Sequence, residues 1–206
     1  GECPGRGVFV DSTNHGPAAV ATFDWLERHA SIDPEQLVIR ATSFGTYFSL
    51  VAAAALGDRV KGVAQAFVIH EPGCYTIFNA ASPTFRMRFM MMSNVTNDDD
   101  FDKFCEGFDP RPFAEQVTCP ILILAGEDDE LSPIQYSYDV YDCLKSPKTL
   151  WVYEGAKHSM GGASSVSQGP HFGNMMADWL VDKIAGKRAD EDARLLVDMH
   201  GKVHTH

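Results

Sequence analysis

Leu37-Val38-Ile39-Arg40-Ala41-Thr42-Ser43-Phe44-Gly45 runs from a short β-branched strand through a tight turn towards the Ala-rich residues 47–56, which read as a helix. A serine on such a strand–turn–helix corner has its hydroxyl exposed above the sheet. The N–H of the next residue, here Phe44, then points at the place where an oxyanion would develop. The pattern for this corner is G-x-S-x-G, whose small residues two before and two after the serine let strand and helix approach closely. Ala41 replaces the first glycine and is still small. Alone, A-x-S-x-G is a weak pattern, and a serine in an ordinary tight turn reads the same.

The alternation continues on both sides of this corner. Residues 18–29 carry Val20, Phe23, Trp25 and Leu26 at helical spacing, and Ile32-Asp33-Pro34 ends that helix. Residues 60–69 are strand-like, and Ile121-Leu122-Ile123-Leu124 is the clearest buried strand. A helix over 134–144, a strand over 149–153 and a closing helix over 172–184 follow. Apolar strands alternating with helices predict an α/β fold, a mostly parallel sheet with helices on both faces. Chemistry in such sheets collects at the carboxyl ends of strands. The loops to inspect therefore follow Ile39, Ile69, Leu124 and Tyr153.

The third of these loops reads Gly126-Glu127-Asp128-Asp129-Glu130-Leu131-Ser132-Pro133. Asp128 and Asp129 compete as the acid that would orient a histidine. G-x-x-D with proline four residues later favours Asp129, while N-capping of the helix from Ile134 is the plain alternative. The fourth loop, Glu154-Gly155-Ala156-Lys157-His158, offers His158 as general base. His15, His70 and His171 occupy weaker places. His70 and Glu71 follow a strand at the active face, so they are candidates to contact a substrate. Polar residues that merely open a loop would look the same.

Residues 72–116 fit the alternation poorly and read as an insertion. Arg86-Met87-Arg88-Phe89-Met90-Met91-Met92 suits a lid over an apolar pocket and equally an ordinary core helix. Asp98-Asp99-Asp100 is a solvated face rather than a metal site. The expected organisation is one domain over 1–186 and a charged tail over 187–206, a helix fraying into disorder. The tail histidines sit too loosely for a metal assignment.

With 206 residues the chain can bury a sizeable core, and a formal net charge of −11 argues against nucleic acid or anionic membrane as the main partner. Five cysteines, an odd number without C-x-x-C, suggest reduced thiols in a cytoplasmic protein. No apolar stretch is long enough to span a bilayer, and no signal peptide opens the chain.

Ser43, Asp129 and His158 thus appear in chain order, each after its own strand. On these residues the chain resembles an α/β-hydrolase from residue 1 to 184. Residues 1–7 resemble the G-P-G-x-G loop that follows the fourth strand there. With Asp24-Trp25-Leu26 and Ile32-Asp33-Pro34 before the corner, the chain is most similar to one subgroup. That subgroup holds pseudooxynicotine hydrolases, FrsA-like esterases and fungal pigment heptaketide hydrolases. The resemblance implies a cofactor-free serine hydrolase acting on a small carbonyl substrate, cleaving an ester or a C–C bond beside a ketone. Ser43 would be the nucleophile, His158 the base and then acid, Asp129 its orienting partner, and Phe44 N–H an oxyanion donor. The resemblance also implies that strands one to four are absent, so the chain is expected to be a fragment of a longer enzyme. The alternative is that another chain, such as a homodimer partner, covers the sheet edge. A prolyl-oligopeptidase-like peptidase, which would need an upstream propeller, and a non-catalytic binding protein of the same fold are the rival readings.

Overall fold

A computed structural model of the chain describes residues 9–160, 172–189 and 191–205. A helix α1 (His15–Glu27) leads to strand β1 (Ile39–Thr42) and helix α2 (Gly45–Leu56). Strand β2 (Val63–Ala66) is followed by four insertion helices, α3 (Tyr75–Ala80), α4 (Pro83–Ser93), α5 (Asp98–Cys105) and α6 (Arg111–Ala114). Strand β3 (Ile121–Gly126), helix α7 (Ile134–Cys143), strand β4 (Lys148–Tyr153) and helix α8 (Phe172–Ile184) come next. Strands β5 (Ala193–Val197) and β6 (Val203–Thr205) complete the described chain.

The strands form one six-stranded sheet in sequence order. All neighbours are parallel except β5 and β6, which are antiparallel. The two-residue period of a strand sorts its side chains between the two faces. Ile121, Ile123 and Ala125 of β3, with Leu150 and Val152 of β4, join Leu50 and Ala53 of α2 and Val140 of α7. Leu122 and Leu124 pack on the opposite face with Tyr153 and with Met176, Trp179 and Leu180 of α8. This is the expected two-faced sheet, and it explains why β3 reads as apolar throughout. No described helix is long and apolar enough to cross a membrane.

Two local expectations are corrected. The strand expected over 60–69 shrinks to Val63–Ala66 because Phe67 adopts φ 55°, which turns the chain out of the sheet. The charged tail is not a fraying helix. Leu195, Leu196 and Val197 pair with Trp151, Val152 and Tyr153, so β5 extends the sheet beyond β4. Apolar residues with strand propensity meeting a free sheet edge outweigh the flanking charges.

The insertion is helical, and its inner side fits the core-helix reading. Its inner side is core: Phe78, Phe89, Phe101 and Phe108 are buried with Phe44 and Tyr47 of the elbow and α2. Its outer side is open, with Met87 and Met91 of α4 66% and 63% exposed. The acidic run forms the exposed first turn of α5, where Asn97 accepts from the Asp100 N–H at 2.9 Å. Negative charge at a helix N-terminus is favoured by the helix dipole.

Candidate active site

Ser43 sits between β1 and α2 with φ 52°. A non-glycine residue in this left-handed region is strained by roughly 1–2 kcal/mol and needs neighbours to hold it there. Its N–H donates to Ala66 O at 3.1 Å, tying the corner to the end of β2. Its carbonyl accepts from the Thr46 N–H at 2.9 Å and from the Thr46 hydroxyl at 2.7 Å. The hydroxyl is thereby presented above the carboxyl end of the sheet, as the corner pattern implies. The close-approach reason for the second glycine is not realised among the described residues. A Cβ on Gly45 would meet no atom within 4 Å.

The Ser43 Oγ lies 2.9 Å from His158 Nε2, although 115 residues separate the two in the chain. His158 Nδ1 lies 2.9 Å from Asp129 Oδ2. A carboxylate only accepts, so the proton of a neutral imidazole sits on Nδ1, leaving Nε2 free to accept from the serine hydroxyl. Asp129 Oδ1 in turn accepts from the N–H groups of Leu131 at 2.8 Å and Ser132 at 3.0 Å. Both side chains are largely buried, with Asp129 7% and His158 9% exposed. The competing Asp128 has an exposed side chain, and only its N–H reaches the histidine loop, donating to Ala156 O at 3.0 Å.

Gly126 lets the acid loop and the base loop meet. A Cβ there would lie 2.4 Å from Ala156 O and 2.8 Å from Lys157 O, closer than real Cβ contacts come. Reading the sequence in terms of strand and loop alone gives Gly126 no such role, because its neighbours come from a different strand end. Phe44 opens α2, so its N–H is among the helix's first donors, which have no partner inside the helix. Its ring packs 4.4 Å from that of Phe89 and 5.5 Å from that of Phe78, in the core beneath the insertion.

His70 and Glu71 are placed differently from the substrate contacts expected of them. The His70 Nε2 bonds to Gln65 Oε1 at 3.1 Å and its Nδ1 to Ser137 Oγ at 3.3 Å. Burial pushes its pKa down to about 3, so it is neutral at ordinary pH. The Glu71 carboxylate accepts from the Thr76 N–H at 2.7 Å and the Thr76 hydroxyl at 2.9 Å, fixing the entry to α3. Both side chains are spent on protein partners. The His70 backbone does support the site indirectly, since its N–H donates to Ser132 Oγ at 3.0 Å, beside the Asp129 turn. His15 stacks on Phe48 with ring centroids 3.7 Å apart. His171 and the glycine-rich loop of residues 1–7 lie outside the described residues.

The family model described as the prolyl oligopeptidase family matches residues 14–187. No curated protein sequence matches the chain. Among solved structures, a 2,6-dihydroxy-pseudo-oxynicotine hydrolase superposes with a TM-score of 0.70 at 20% identity, covering 88% of this chain and 50% of that one. An acetyl xylan esterase from Thermoanaerobacterium sp. JW/SL YS485 gives 0.60 at 15% identity, covering 82% and 52%. A puromycin-hydrolyzing peptidase from Mycobacterium tuberculosis gives 0.60 at 22%, covering 86% and 27%. The chain has the α/β-hydrolase fold, in keeping with the resemblance to pseudooxynicotine hydrolases, and spans about half the length of the first two structures.

Proposed function

This chain belongs to the prolyl oligopeptidase family, and on that premise we propose that it is the catalytic part of a serine hydrolase acting on a small carbonyl substrate. The reading is carried by one observation, the hydrogen-bonded series from Ser43 through His158 to Asp129, with both links at 2.9 Å. Ser43 Oγ attacks the carbonyl carbon as its proton passes to His158 Nε2. Asp129 Oδ2 holds the Nδ1 proton and stabilises the imidazolium that forms. The developing oxyanion takes the Phe44 N–H. His158 then returns its proton to the leaving group, an alkoxide from an ester or an enolate from a ketone-activated C–C bond. Water, deprotonated by the same histidine, adds to the acyl carbon, and His158 hands that proton to Ser43 Oγ as its bond to the acyl group breaks and the acid departs.

The likeness to a pseudo-oxynicotine hydrolase and an acetyl xylan esterase supports a small carbonyl substrate. Peptide-bond cleavage is the second reading, favoured by the family match and by the puromycin-hydrolyzing peptidase among the similar structures. Turnover of an aryl ester set against that of a peptidyl p-nitroanilide separates the two.

A fluorophosphonate should label Ser43, as mapped by peptide mass spectrometry. Ser43→Ala should melt like the wild type, go unlabelled and lose turnover by ~10⁴-fold or more. A folded wild type that resists the probe, or an alanine variant that keeps its turnover, refutes the proposal.

A further inference from the structure

Asp129 grips one ring nitrogen of His158, which alone leaves the base free to swing about that bond. The base stands five residues after β4 in a stretch of irregular backbone, in which Gly155 has φ 66° and Met160 φ 50°. Neither regular helix nor strand fixes its Cα. The fixing comes from the facing acid loop, residue by residue. The Tyr153 O accepts from the Glu127 N–H at 3.0 Å, and the Gly155 N–H donates to Glu127 Oε2 at 3.2 Å. The Asp128 N–H donates to Ala156 O at 3.0 Å. The His158 N–H donates to Glu130 Oε2 at 3.0 Å.

We propose that Glu130 is a positioning residue for the general base, anchoring the His158 backbone while Asp129 anchors its ring. With these two anchors from adjacent residues in place, His158 Nε2 stands 2.9 Å from the nucleophile. A displacement of about 1 Å at such a contact can cost ~10²-fold in rate. The Glu130 carboxyl is itself held below the usual carboxylate range, first of all by the His158 N–H, so the anchor stays charged at neutral pH. The Glu130 carboxylate bonds to the His158 backbone N–H, so it acts through His158. The inference rests on the reading of Ser43 as nucleophile and His158 as its base.

The test pairs two variants of equal side-chain length in the intact protein. Glu130→Met removes the acceptor, whereas Glu130→Gln keeps an oxygen in its place. The rate of Ser43 labelling by a fluorophosphonate should fall about tenfold in the Met variant, the worth of one hydrogen bond. It should recover most of that loss in the Gln variant. The downfield His158 Nδ1 proton resonance should broaden in the Met variant and stay sharp in the Gln variant. If the Met substitution prevents folding, Glu130→Ala takes its place. Equal labelling rates in wild type and the acceptor-less variant overturn the inference and leave the nucleophile assignment standing. A Gln variant as slow as Met also overturns it, because the acceptor is then not what matters. A wild type that takes no label removes both.

Discussion

Around Ser43, Asp129 and His158, hydrogen bonds of 2.7–3.1 Å hold each group, and a strained φ of 52° is kept at the serine. In the 72–116 insertion a few ångströms away, Phe78, Phe89, Phe101 and Phe108 hold one another by ring contacts at 5.0–6.4 Å with no comparable directionality. Hydrogen bonds are few, directional and unforgiving of displacement, whereas apolar packing is diffuse and adds up with area. A change at the strand ends should therefore damage chemistry more than folding, and a change in the insertion should do the reverse.

The most severe test of that division is Asp129→Asn. The asparagine oxygen can still accept from Leu131 and Ser132, so the melting temperature should move little. Its amide would face His158 Nδ1 as a donor and impose the tautomer whose Nε2 carries the proton. Turnover should then fall by ~10⁴-fold. A large loss of stability with modest loss of turnover would break the division.

Phe101→Ala probes the other side. Phe101 is buried against Phe78 and Phe104, with the Arg86 guanidinium 4.8 Å over its ring. Its loss should destabilise the protein by about 3–5 kcal/mol, read as a lower urea midpoint, the usual range for a large buried aromatic. Ser43 should remain reactive towards a fluorophosphonate in the folded variant.

His70 sharpens the comparison, because it is a polar group in a site of core-like burial. Folded, its pKa is pushed down to about 3 from 6.5, so the native state resists the proton that the unfolded chain accepts. Its contribution is fully present above pH 6.5 and is lost as pH falls from there towards 3. The wild type should therefore lose stability between these limits more steeply than His70→Gln does. The difference should be on the order of a few kcal/mol near pH 4, measured by denaturant titration at each pH.

Much of the architecture was legible locally. Apolar β-branched runs marked β1, β3 and β4, and Ser43, Asp129 and His158 each stood in a loop that follows a strand. The C-terminal strands were not legible, because Arg194-Leu195-Leu196-Val197 becomes a strand only where β4 offers an edge to pair with. His70 and Glu71 occupied the right kind of loop, yet strand-and-loop periodicity does not show which way a side chain turns, here to Gln65, Ser137 and Thr76.

By itself the sequence determined the alternation of strands and helices up to α8, the parallel sheet and the three strand-end positions from which a nucleophile, an acid and a base could face one another. These follow from residue periodicity and backbone preference, which act over a few neighbours. Only the tertiary structure decided that Asp129 rather than Asp128 meets His158, that Gly126 must lack a side chain and that Glu130 holds the base loop. Each of these depends on contacts between loops that are about 30 residues apart or more in the chain, and close approach between distant segments is a property of packing that local sequence does not encode.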